Sequence, residues 1–215
     1  EVEIDVRVLR RGRGMSQVEV GLRNAGEDAP GHTTLAVFGR GRPGPTFTDV
    51  RPPDVPEPLD CELPPVPPAD APMARAAFFD RLEVRSHGMR ATWDPDWEGG
   101  GPARAIRWLR YRRAPRLEDG TLDPLAYVPV CDTMPPSLFQ KLGPQPGPML
   151  APSCDLNVHF LRTTKSEWWL LDGRTHDAGD GYASATIDLW DADRRLLARA
   201  TQLMYLRMDV PELRG

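Results

Sequence analysis

Cysteine is scarce: Cys61, Cys131 and Cys154 are the only three in 215 residues, unevenly spaced and without a CxxC pair. That excludes a disulfide framework and a cysteine zinc site, and makes a reducing compartment, the cytoplasm, the expected setting. No apolar run approaches the roughly 18 residues of a membrane span, and no charged-then-apolar opening marks a signal peptide. A positive balance is also missing. The formal charge of −4 argues against a general nucleic-acid binder. Two arginine clusters stand out: Arg7, Arg10, Arg11 and Arg13, then Arg107, Arg110, Arg112 and Arg113. Both read as solvated strand faces or loop ends.

Proline is abundant. Eleven of the 24 fall between residues 41 and 72, and a residue that fixes φ and lacks an N–H cannot join a strand ladder. The segment therefore reads as an extended surface linker dividing a unit at 1–40 from one at 73–215. The first residues alternate, with Val2, Ile4, Val6 and Val8 against Glu1, Glu3, Asp5 and Arg7. A half-buried strand thus begins with no lead-in, which suggests a trimmed start.

Patterning predicts strands at 1–8, 15–22 and 32–38, then near 78–85 and 103–113, a helical stretch over 123–142 stopped by Gly143, and strands near 149–161, 167–174, 182–190 and 196–206. Short turns are expected at Asp172-Gly173, 179–181 and 191–194. Many antiparallel strands around one helix make an α+β architecture, a sheet wrapping a single helix. Residues 12–40 also match residues 179–207 without a gap, Gly12, Gly14, Leu22, Ala25, Thr34 and Arg40 meeting identical residues. The pattern suggests a duplication whose first copy lacks roughly 60 to 90 residues. In that alignment Leu35 meets Gln202.

The stretch VPVCDTMPPSLFQ, residues 128–140, sets Asp132 in an apolar run with no neutralising neighbour. One reading is a cap: Asp132 or Thr133 before Pro135-Pro136, which suit a helix's first turn. The other is a functional acid, partly buried. Cys131 beside it lacks a histidine at a recognisable spacing and reads as a small buried thiol. His159 reads as a structural histidine, and Trp168, Trp169 and Trp190 as core or subunit contact.

From Trp108 to Arg207 the sequence resembles the C-terminal half of the TesB-like double-hotdog thioesterases (acyl-CoA thioesterase II). The resemblance rests on LAYVPVCD at 125–132, SCDLNVHFLR at 153–162, EWWL at 167–170, GYA at 181–183 and LLARATQ at 196–202. It implies a double hotdog whose first half is incomplete at its N-terminus, acting on acyl-CoA, with no cofactor or metal, as a homodimer or higher homo-oligomer. It also implies three site residues, Asp132, Ser153 and Gln202, holding a water beside the thioester, with backbone N–H groups at a helical turn polarising the carbonyl. Serine stands at 153 where many relatives have threonine.

Two other functions compete. A hotdog hydratase is expected to carry histidine five positions after the acid, where this chain has Ser137. A non-catalytic acyl-binding or assembly module would keep the fold without the chemistry.

Overall fold

A computed structural model describes residues 1–66, 77–94, 96–145 and 149–208. Their contacts divide the chain into two units, Glu1–Phe47 and Thr48–Gly215.

The first unit is an antiparallel sheet of β1 (Val2–Arg11), β2 (Met15–Asn24) and β3 (His32–Gly39), in that order. Alternation sends Val2, Ile4, Val6 and Val8 to one face, where all four stay exposed. The opposite face carries ion pairs, Arg7 with Glu19 and Arg23 with Glu3 and Asp5.

The second unit carries β4 (Leu82–His87), β5 (Arg104–Tyr111), β6 (Met149–Leu150), β7 (Asn157–Phe160), β8 (Trp169–Gly179), β9 (Tyr182–Asp191), β10 (Leu196–Tyr205) and β11 (Arg207–Met208). Six of these form one sheet in the order β4-β5-β8-β9-β10-β7, all paired antiparallel, and β11 pairs with β6. The single predicted helix is interrupted. A 3-10 turn at Pro124–Ala126 leads into α1 (Tyr127–Cys131), the chain breaks at Asp132–Met134, and α2 runs from Pro135 to Leu142. Prolines at its first positions open α2 without wasting donors. Gly143 ends it at φ +73°, and a Cβ there would lie 2.7 Å from the Cα of Gly99, so only glycine fits.

One sheet face packs on the helices through Leu82, Leu109, Trp169, Leu171, Ile187, Leu189, Tyr127, Val130, Met134 and Leu138. The expected turn at Asp172-Gly173 does not exist, because β8 runs straight through it. A Cβ on Gly173 would make only ordinary contacts, with the Ala105 carbonyl at 3.5 Å and the Cβ of Ser137 on α2 at 4.0 Å. Asp172 points to the other face, 3% exposed, and takes a two-pronged bond from Arg104 at 2.6 and 2.9 Å plus one from Arg174 at 2.9 Å. Burial pushes its pKa up, but the two guanidiniums pull it further down, to a net value below the ordinary carboxylate. A carboxyl held lower folded than unfolded (about 3.9) adds stability above that value and loses it as pH falls through the folded value. Asp172→Asn should therefore lower the melting temperature at pH 7, and the gap to wild type should close toward pH 3. An equal gap at both pH values contradicts this.

The proline-rich segment departs from its reading as a linker. Residues 48–66 belong to the second unit, and residues 67–72 lie outside the described residues. Val55 and Cys61 pack with Trp108, Leu170, Trp190 and Leu196 on the sheet's outer face. Pro56 accepts from the Trp108 indole at 2.9 Å, and Val55 accepts from Arg194, whose guanidinium lies 4.8 Å over the same ring. A segment poor in N–H groups can still offer carbonyls, and the sheet supplies the donors. Glu62 even exchanges both backbone bonds with Ser86 of β4.

The two units share a register. Adding 167 carries Val2↔Asn24 onto Trp169↔Asp191 and Val8↔Val18 onto Thr175↔Ala185. The irregularity between Val8 and Arg10 falls on the one between Thr175 and Asp177. The match thus reaches back through β1, further than the sequence alone suggests. It slips by one in the next strand: Val18 pairs with Ala36, whereas its counterpart Ala185 pairs with Gln202. A one-residue slip changes the face of every side chain. The counterpart of Gln202 is therefore Ala36, and Leu35 lies on the opposite face.

Candidate functional site

Asp132 occupies the break between α1 and α2. Its N–H still donates to Val128 at 3.1 Å, and its φ of −81° and ψ of 15° then turn the chain out of the helix. The capping alternative fails, since Met134 precedes α2 and no side chain caps it. Instead Asp132 Oδ1 accepts from Ser153 Oγ at 3.1 Å and from Gln202 Nε2 at 2.5 Å, and the same Nε2 donates to Ser153 Oγ at 2.6 Å. The three residues predicted from sequence form a closed triangle.

Each corner has its own support. Ser153 follows β6 and is held against β10 by a bridge to Met204, with Cys154 N–H donating to Leu203. Gln202 lies on β10, 3% exposed, on the helix-facing side with Ala200 and Met204. A carboxylate only accepts, so the amide must turn its nitrogen toward Asp132. That leaves Gln202 Oε1 buried without a partner among the described residues. Asp132 and Ser153 are exposed, whereas the sequence reading has the acid partly buried. The helical stretch ends at the break, so its acid lies beyond the packed face of α1.

The first N–H groups of these helices are absent or taken, so the expected backbone donors are not among them. Pro135 and Pro136 have no N–H, and Ser137 N–H is taken by Met134 at 3.0 Å. Before α1, Leu125 N–H goes to Asp123 Oδ1, and Ala126 and Tyr127 N–H go to carbonyls just upstream.

Neighbouring groups narrow the chemistry. Burial pushes the Cys131 thiol up to about 12, with Asp132 and Asp188 adding to the effect. It is a core group and not a nucleophile. Cys131→Ala should hydrolyse substrate at a rate within about threefold of wild type, because only packing changes; a complete loss would restore the nucleophile reading. His159 is exposed on β7. Trp169 packs edge-on against Tyr111 in the inner core, Trp190 joins the outer cluster, and Trp168 lies under Arg110 at 4.7 Å.

The second arginine cluster is less uniform than predicted. Arg110 is a surface residue paired with Glu83 at 2.7 Å. Arg107 is 5% exposed and reaches the break itself, donating to Thr133 O at 2.6 Å and Thr133 Oγ1 at 2.8 Å. Burial lowers its pKa to about 10. Sequence reading missed it, although the alternation Ala105, Arg107, Leu109 puts it on the core-facing side.

A six-stranded antiparallel sheet packed on one interrupted helix, with a polar triangle at the interruption, defines an α+β hotdog protein. Residues 58–206 match the family model described as acyl-CoA thioesterase C-terminal domain. The chain belongs to that family and is a thioester hydrolase. Among curated proteins none matches significantly. Solved structures similar to it include a conserved protein of unknown function with hotdog fold from Alicyclobacillus acidocaldarius, at 25% identity and TM-score 0.76 over 96% of this chain and 73% of that one. Another is the acyl-CoA thioesterase II TesB2 of Mycobacterium marinum, at 20% identity and TM-score 0.65 over 97% and 74%. A third is the tesB protein of Mycobacterium avium subs paratuberculosis, at 21% and 0.71 over 96% and 72%. No helix among the described residues is long and apolar enough to cross a membrane.

Proposed function

We propose that the protein hydrolyses acyl-CoA thioesters to free acid and CoA by direct attack of water, with Asp132 as general base and Ser153 and Gln202 holding that base in place beside its water. The observation that carries this reading is the triangle, because it fixes one carboxylate oxygen and orients the other. Oδ1 accepts from both partners, so Oδ2 is the oxygen left to take a proton from water. The exposed side of Asp132 and Ser153 is where that water and the thioester meet. Water oxygen bonds to the thioester carbonyl carbon as Asp132 takes a proton. The tetrahedral adduct then collapses, the C–S bond breaks and CoA leaves as thiolate, which the proton neutralises. A thioester is electrophilic enough that positioning and one base carry most of the work. No covalent intermediate is needed.

Ser137 speaks against hydration. It is fully buried, donates to Met134 O at 2.8 Å and shares a bond of 2.8 Å with Thr175, so it serves packing of α2 on β8. Incubating the full-length protein with acyl-CoAs of graded chain length, with a thiol reagent reporting free CoA, tests the proposal. Steady CoA release with equal acid is expected. Binding without release would leave an acyl-binding module.

A further inference from the structure

We propose that Arg107 is a positioning residue for this reaction: from inside the core it clamps the break between α1 and α2 and thereby holds Asp132 against Ser153 and Gln202. The inference rests on Asp132 acting as proposed above.

The first observation is that Arg107 is out of place energetically. It is 5% exposed, and among the described residues no carboxylate lies within ion-pair distance of it. An uncompensated buried cation is unfavourable, and an apolar residue of similar volume usually serves a core better. The guanidinium nevertheless keeps its proton at neutral pH, since burial lowers it only to about 10. The second observation is where its bonds go. Arg107 sits opposite Ser86 on β4, yet the Ser86 hydroxyl and the Arg107 Nε make no hydrogen bond among the described residues. The terminal nitrogen is spent on Thr133, at 2.6 Å to its carbonyl and 2.8 Å to its hydroxyl. The Thr133 hydroxyl in turn donates to Val130 O at 2.7 Å.

The third observation is what this chain of bonds encloses. Val130 lies in the last turn of α1, Thr133 follows the acid, and Asp132 stands between them with a backbone that has left the helix. No side chain caps α2, and its first turn reaches only Met134 of the break, through the Ser137 N–H and hydroxyl, so it does little to fix Thr133. Arg107 does so from β5, a central strand of the sheet. It touches no reacting atom in this arrangement. A loosened break would let Oδ1 leave the triangle, and displacements of this kind are large in their effect on rate.

The test uses full-length Arg107→Met, Arg107→Lys and Thr133→Val beside Asp132→Asn, read by kcat, by KM and by amide hydrogen exchange over residues 127–142. Arg107→Met is expected to lower kcat about tenfold, with KM little changed, the melting temperature held and exchange at 131–134 accelerated. Arg107→Lys should recover part of the rate and Thr133→Val should lose part. A purely structural role would instead lower the melting temperature without a selective change at the break. Arg107→Met with wild-type kcat, or with lost kcat and unchanged exchange at the break, overturns the proposal. Should Arg107→Met not fold, Thr133→Val decides by the same two readouts, unchanged kcat and exchange overturning it. If Asp132→Asn is inactive while Arg107→Met is fully active, only the clamp is wrong. If Asp132→Asn is fully active, the hydrolytic reading fails and the clamp with it.

Discussion

Asp132→Asn is expected to lower kcat for acyl-CoA hydrolysis by about a hundredfold, the range for loss of a general base, while KM and the melting temperature stay near wild type. Asparagine keeps the size of the side chain and one acceptor oxygen. The bonds from Ser153 Oγ and Gln202 Nε2 to Oδ1 therefore survive, and the site keeps its shape. What goes is the oxygen that takes the proton, since the amide nitrogen offers only donors. An interaction made only as the proton moves lowers kcat and kcat/KM together. A variant with turnover within twofold of wild type removes Asp132 from the mechanism, whatever the geometry of the triangle.

Gln202→Leu is the second large effect, and it separates activity from stability. Gln202 Nε2 donates both to Asp132 and to Ser153, so leucine frees both, and kcat should fall by about tenfold to a hundredfold. Yet Gln202 is 3% exposed with a buried Oε1 that has no partner among the described residues. An unsatisfied buried acceptor costs about 1–3 kcal/mol, so an apolar side chain of similar volume should hold or raise the melting temperature. Slower turnover in a protein that melts no earlier is the expected pair of results. Because the corners act as one unit, Asp132→Asn with Gln202→Leu should be little worse than Asp132→Asn alone. A double variant whose losses multiply would show two separate roles.

Much of the fold was legible because alternation is a strong signal where one sheet face is buried. The strands from Met15, Tyr182 and Leu196 begin where the pattern begins. Asp132 stood out by its apolar setting, but the three site residues were legible as a set only through their resemblance to a family. Taken one at a time, Ser153 and Gln202 are ordinary β-segment residues, and nothing in local sequence brings residues 21 and 70 positions away from Asp132 to it. Three features escaped for physical reasons. Asp172-Gly173 has the composition of a turn, but both residues are paired inside the sheet with β5 and β9, strands remote in sequence or beyond the turn at its end. The proline-rich segment has the composition of a linker, but its carbonyls meet Trp108 and Arg194, donors that are remote in sequence. Arg107 has the composition of a surface charge, and its true place shows only in the phase of β5.

Direct attack by water is most directly tested by a single turnover with enzyme in excess, in water labelled with oxygen-18, analysing both the released acid and the peptide that contains Asp132. The proposed mechanism predicts one solvent oxygen in every acid molecule from the first turnover, and a carboxylate at Asp132 that carries neither label nor acyl group. Unlabelled acid with the label at Asp132, or an acyl adduct caught on that residue, would make the carboxylate a nucleophile and contradict the account.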